Sequence, residues 1–119
     1  MLRSYKNLIV WQKAMELVQE IYRVTALFPK TEMYGIVSQM RRAAISIPSN
    51  IAEGHGRSGK KMYHHFLGIA YSSGAELETQ IEISKNLGFM ESKHSEKTDS
   101  LLLEVMKMLN KMLSNLSAP

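Results

Sequence analysis

Residues Gly54-His55-Gly56-Arg57-Ser58-Gly59-Lys60-Lys61 come close to a phosphate-binding loop. Glycines stand at both ends of the spacing, and Lys60 takes the position whose ammonium would reach a phosphate. Lys61 then stands where a Ser or Thr hydroxyl would ligate Mg²⁺, and the segment follows a helical pattern where such a loop follows a buried strand. Both departures argue against a nucleotide hydrolase. A simpler chemistry survives. The loop opens a helix, whose free N–H groups and dipole favour anions, and Arg57, Lys60 and Lys61 add charge. A nucleic-acid phosphate could dock there. The alternative is a solvated basic loop.

The other reactive side chains do not form a catalytic set. His64 and His65 are adjacent, so on a helix they point about 100° apart and cannot share a metal in the i, i+4 manner. His55 and His94 lack partners at ligand spacing, and the chain has no cysteine. No metal site, cofactor or small-molecule substrate is expected. Glu76, Glu78 and Glu82 follow one another along one helical segment. A carboxylate acid/base pair would need a nucleophile, a metal or a cofactor loop beside it, and none is apparent. Bridges from Arg42 to Glu76 or from Arg41 to Glu78 are the better reading, since arginine forms bidentate pairs with carboxylates. Trp11, Tyr22, Phe28, Tyr34 and Phe66 could stack on bases, but their spacing suits core or interface packing.

These residues must be positioned by helices. In the first segment, Leu8 to Leu27, Asn7 is a plausible N-cap. Leu8, Trp11, Met15, Val18 and Tyr22 form one apolar stripe. Val10, Ala14, Leu17, Ile21, Val24 and Phe28 form a second. Two stripes make a face wider than one core requires. The second segment starts near Thr31-Glu32 and carries the seam Met33, Val37, Met40, Ala44, Ile47, Ile51. The third runs from about Lys60 to Leu87, with Gly88 as its cap. Its seam is Tyr63, Leu67, Ala70, Gly74, Leu77, Ile81, flanked by Phe66, Ile69 and Ile83. The small residues Gly68 to Ala75 allow a neighbouring backbone to approach. The fourth spans about Ser95 to Leu116, and Ser117-Ala118-Pro119 reads as a frayed tail. No segment alternates with period two. The pattern predicts an all-α, antiparallel up-down-up-down four-helix bundle, a single domain over residues 1–119.

Composition sets the context. The 119 residues are 45% hydrophobic, enough to build a core. Fifteen Lys and Arg against eleven Asp and Glu give a net charge of +4, which favours anionic partners, nucleic acid first. The start of the chain lacks a signal-peptide h-region, and no apolar run approaches membrane-spanning length. With no cysteine, a cytoplasmic location without membrane contact is expected.

The most specific stretch is Gln39 to Gly54, QMRRAAISIPSNIAEG. Pro48 removes one backbone hydrogen bond and clashes with the carbonyl of Ala44. The second helix must therefore kink or end near Pro48, at a cost of ~3 kcal/mol in a helix interior. Ser49 and Asn50 are placed to re-bond the local backbone.

With Val10-Trp11-Gln12-Lys13-Ala14, Phe28-Pro29, Tyr34-Gly35 and Glu76-Leu77-Glu78, this stretch makes the chain resemble the four-helix proteins encoded by intervening sequences in bacterial 23S rRNA genes. That family is similar to the accessory variability proteins of diversity-generating retroelements. The resemblance runs from about residue 6 to residue 113. It implies a barrel-like homopentamer with a basic surface and no catalytic activity. For retroelement members it implies binding to a reverse transcriptase and to nucleic acid. One departure stands out. The family reads Ala-Arg-Gly-Ser where this chain has Ala70-Tyr71-Ser72-Ser73, so one basic contact is missing.

Two functions follow as expectations. In the first, a non-enzymatic homo-oligomer meets RNA or DNA phosphates through Arg41, Arg42, Arg57, Lys60 and Lys61. In the second, the oligomer is a scaffold or accessory subunit that docks a protein such as a reverse transcriptase, and the two arginines of the second helix are structural. In either, Trp11, Pro48, Asn50, Glu53, Glu76 and Glu78 are expected in structural or interface roles.

Overall fold

Val10, Ala14, Leu17, Ile21 and Val24 recur at helical spacing and all are buried, which fixes the inner face of the first helix. The structure, a computed structural model, describes residues 4–117. Its helices are α1 (Ile9–Thr25), α2 (Ser38–His55), α3 (Lys60–Asn86) and α4 (Ser92–Ser117). There is no strand among the described residues. Each helix packs on two others: α1 on α2 and α4, and α3 on α2 and α4. The cross-helix contacts run in the antiparallel sense. Late α1 meets early α2 through Thr25 and Arg41. Early α3 meets late α4 through His64 and Ser117, and late α3 meets early α4 through Lys85 and Asp99. The core between them is aliphatic, built on Leu17, Ile21, Met40, Ile47, Ile51, Leu67, Leu77 and Leu109. Each such side chain contributes ~1.5–3 kcal/mol by leaving water.

Several expectations need correction. Asn7 does not cap α1. The residue before the helix is Leu8, which offers no side-chain cap, and Ser4 instead caps the short 3₁₀ turn Tyr5–Asn7. The second helix starts later than its pattern suggests. Lys30–Glu32 forms a 3₁₀ turn and Met33–Val37 a π turn, with Gly35 outside helical geometry at φ −110°, ψ −116°. Met33 drops out of the seam and is exposed, while Val37 through Ile51 remain buried. Of the two outcomes expected at Pro48, the helix does not end there; it continues through the proline to His55. Asn50 does not reach the freed Ala44 carbonyl. Its side-chain amide donates to the Ser46 carbonyl at 2.8 Å and to Ser46 Oγ at 3.0 Å, and Ser46 Oγ lies 2.8 Å from Ser73 Oγ on α3. Ser49 is exposed. On α3, Ile69 and Ile83 face outward. α4 begins a turn early, at Ser92, and includes Ser117; Ala118 and Pro119 lie outside the described residues.

Two glycines explain the tight α2–α3–α4 packing. A Cβ on Gly54 would sit 2.8 Å from Phe66 Cβ, and one on Gly74 would overlap the Met106 thioether. Gly88 ends α3 as expected. Its φ of 78° suits glycine. The Phe89 and Gly88 N–H groups donate to the carbonyls of Ser84 and Lys85, which completes a Schellman closure.

Candidate nucleic-acid interface

Arg41 is held against the end of α1. It sits on α2 facing the end of α1, half-buried. Its Nε donates to Thr25 Oγ1 at 3.0 Å, and its guanidinium lies 4.3 Å above the centre of the Tyr22 ring. Thr25 is buried and donates in turn to the Ile21 carbonyl at 2.6 Å. Arg42, one residue on, points out and is exposed. It borders a shallow α2–α3 groove of about 300 Å³ with Gln39, Ser46, Ser73 and Glu76.

Neither anticipated arginine–glutamate bridge forms among the described residues. Arg41 is occupied by Thr25 and Tyr22. Arg42 and Glu76 share a groove but are not within ion-pair distance. Glu76 accepts from Gln80 Nε2 at 3.4 Å. Glu78 is exposed in a separate α3–α4 groove, beside Glu82 and Leu103.

The remaining cations lie at the other end of α2. Arg57, in the α2–α3 loop, reaches Glu53 at 3.5 Å and stands 5.5 Å over the Phe66 ring. Lys60 and Lys61 open α3, exposed, and border a hollow with His64, Leu116 and Ser117. The loop closes through Gly59 at φ 87°. At 1.5 Å per residue, the helix carries the chain about 20 Å from Arg42 to His55. The five arginines and lysines named from the sequence are therefore two separate groups, and one of the five is packed inward.

The antiparallel order adds cations that sequence reasoning missed. The start of α1 and the end of α4 share this end of the bundle, so Lys6, Lys107 and Lys111 join Arg57, Lys60 and Lys61 there, all exposed. Lys6 precedes α1 and Lys107 and Lys111 lie four residues apart on α4, so only the fold brings them to the loop cluster. Two carboxylates border this end: Glu53, which faces Arg57, and Glu104 on α4, which faces Lys13 at 3.5 Å and lies three residues before Lys107. Nine of the eleven acidic residues lie elsewhere. His55, His64 and His65 also belong to this end. His64 Nε2 lies 2.8 Å from Ser117 Oγ. No group of three or more His, Cys, Asp or Glu suited to a metal ion occurs among the described residues.

The rest of the bundle is laced with ion pairs. Buried Glu20 takes Arg23 at 2.7 Å and Lys97 at 3.8 Å. The hydrogen bond from Arg23 holds its carboxyl below the ordinary carboxylate range, against the opposing effect of burial, and raises Arg23 in turn. Lys85 meets Asp99 at 2.8 Å, and Ser95 Oγ also donates to that carboxylate. The i, i+3 spacing could have revealed the first pair; nothing local signals the second. Burial raises the Tyr63 phenol.

The outer stripe of α1 meets α2 in an apolar hollow of about 310 Å³. Trp11, Met15, Val18, Ile45 and Pro48 line it, and Trp11 packs edge-on against Tyr5 with ring centres 5.4 Å apart. Met15 and Ile45 are exposed there. Phe28 is buried against Phe89, and Tyr34 is 98% exposed. Among the described residues, no helix is long and apolar enough to cross a membrane.

Compared with known families, residues 6–111 match the model described as 23S rRNA-intervening sequence protein. A comparison with curated proteins returns no match.

Proposed function

Because the chain belongs to the 23S rRNA-intervening sequence protein family, we propose that it is a non-enzymatic, homo-oligomeric protein that associates with nucleic acid through the basic end of its bundle. One observation carries this reading: the fold brings Lys6, Arg57, Lys60, Lys61, Lys107 and Lys111, all exposed, to one end of the bundle, against two bordering carboxylates, Glu53 and Glu104. Such a surface attracts polyphosphates at long range and releases their counterions on contact. Arg57, Lys60 and Lys61 are the phosphate contacts retained from the sequence. Arg42 lies outside that surface, and Arg41 serves packing. The oligomer forms through the α1–α2 hollow, where Met15 and Ile45, with half-buried Trp11 and Val18 beside them, present apolar surface that a second copy would cover. A pentamer is the state that the family resemblance implies.

A double-stranded RNA titration at several salt concentrations, with light scattering of the protein alone, tests both parts. Binding should weaken steeply with salt, and the mass should be a multiple of 13.5 kDa. Salt-independent or undetectable binding removes the nucleic-acid part. A monomer mass removes the oligomer.

A second reading rests on the opposite end. Tyr34, Leu27, Met33 and Leu87 are exposed there. Exposed apolar side chains gathered at one end suit a protein partner, as the scaffold expectation requires.

A further inference from the structure

Resting on the nucleic-acid reading above, we propose that the basic end binds paired, helical nucleic acid by its phosphates and does not bind single strands through their bases. Single-strand binders combine cationic grooves with exposed aromatic rings on which bases stack. This end has the cations without an exposed Tyr, Trp or Phe ring among the described residues. Tyr5 is packed on Trp11, Tyr63 meets the His55 ring edge-on with centres 6.0 Å apart, and Phe66 lies beneath Arg57 and against His65. None of the Tyr, Trp and Phe rings here is exposed; the exposed tyrosines, Tyr22 and Tyr34, belong to the opposite half, and the exposed ring at this end is the His65 imidazole, set edge-on to Phe66. The cations come from four segments, α1's approach, the α2–α3 loop, α3 and α4, so they are spread across the end of the bundle and do not line one narrow channel.

Size points the same way. The bundle measures 46 × 26 × 22 Å. A blunt end 22–26 Å across is about twice as wide as the ~12 Å major groove of DNA, and the major groove of an RNA duplex is closed to side chains. The end therefore rests across sugar–phosphate backbones. At ~3.4 Å per base pair it covers about 7 base pairs. Contacts of this kind position a protein without reading sequence.

The test uses the full chain and fluorescence anisotropy. The probes are two 20-base-pair RNA duplexes of unrelated sequence and their separated strands, between about 50 and 200 mM salt. The duplexes should bind at least about tenfold tighter than the strands and within about threefold of each other. The double variant Lys60→Glu/Lys61→Glu should reduce the slope of log affinity against log salt by about two. Acidic residues suit a helix N-terminus, so this variant should keep its helical content. Strands that bind as tightly as duplexes, duplexes that differ more than about tenfold, or an unchanged slope in the double variant each overturn the duplex proposal and leave the nucleic-acid reading standing. Absence of salt-dependent binding to every probe removes that reading itself, and the proposal with it.

Discussion

Replacing Arg41 and Arg42 one at a time separates a packing arginine from a surface one. Arg41→Ala removes a charged hydrogen bond to the Thr25 hydroxyl at 3.0 Å and a guanidinium 4.3 Å above Tyr22. Charged hydrogen bonds are worth ~1.5–3 kcal/mol, and a partly exposed cation–ring contact adds ~0.5–1 kcal/mol. Thr25 keeps its own donation to the Ile21 carbonyl. Only its acceptor lone pair is stripped, which places the total near 2 kcal/mol. For a chain of this size that lowers the melting temperature by roughly 6–10 °C. Arg42→Ala touches no ion pair and should change stability by less than ~0.5 kcal/mol. Arg41→Lys keeps the charge but loses the planar group that both bonds Thr25 and covers the ring, so it should recover less than half of the loss. Thermal melts by circular dichroism at two protein concentrations read all three. Equal losses for Arg41→Ala and Arg42→Ala, or full rescue by lysine, would refute this assignment of Arg41.

Gly54→Ala should destabilise the bundle by roughly 1 kcal/mol, as a backbone-anchored clash with Phe66 Cβ outweighs the better helix propensity of alanine. Gly74→Ala meets the flexible end of Met106 instead and should be neutral or slightly stabilising, a contrast that denaturant midpoints would show. Glu20 has a depressed folded pKa, set first by its hydrogen bond from Arg23, so it contributes stability above its unfolded pKa that is lost as pH falls through the folded value. Glu20→Gln should flatten the acid limb of a stability–pH curve and leave its basic limb unchanged; an unaltered acid limb would contradict the pairing.

The sequence made the helices legible because each buries a period-3.6 stripe. The inner faces of α1, α2 from Val37 and α3 from Leu67 to Ile81 are the buried ones. Boundaries were less legible wherever backbone geometry competed with the pattern. The apolar seam continues back through Met33, but Gly35 leaves the helical basin and detaches that turn from α2. Pro48 left a stop and a kink both open because local chemistry counts only the lost bond. Pro48 is itself buried beside the α1 stripe, and that packing helps carry the helix to His55. The arginine pair was the hardest to read. Arg41 and Arg42 are neighbours in sequence, yet on a helix they point about 100° apart, so one enters the α1 contact and the other meets solvent. Their bridges to Glu76 and Glu78 were plausible from antiparallel order alone, but order does not fix register to a side chain. The basic end was only half legible: the loop cluster is contiguous, while Lys6, Lys107 and Lys111 arrive from segments about 50 residues or more away in the chain.

The apolar hollow runs along the side of the bundle and the basic surface caps its end, so the two can be disturbed independently. If copies associate side by side through the α1–α2 hollow and point the same way, every basic end falls on one rim, and a long duplex can touch several copies at once. Met15, 37% exposed in that hollow, is the place to test this. Met15→Glu introduces a charge into the proposed contact without entering the core, so helical content should persist while the light-scattering mass falls to that of one chain. Affinity for a 40-base-pair duplex should then fall by ~10²-fold, because linked sites gain avidity that single sites lack. Affinity for an 8-base-pair duplex, which about one copy covers, should barely change. A mass that stays high refutes the hollow as the contact. A mass that falls with no loss on the long duplex refutes the shared rim, because the copies would then present their basic ends in different directions.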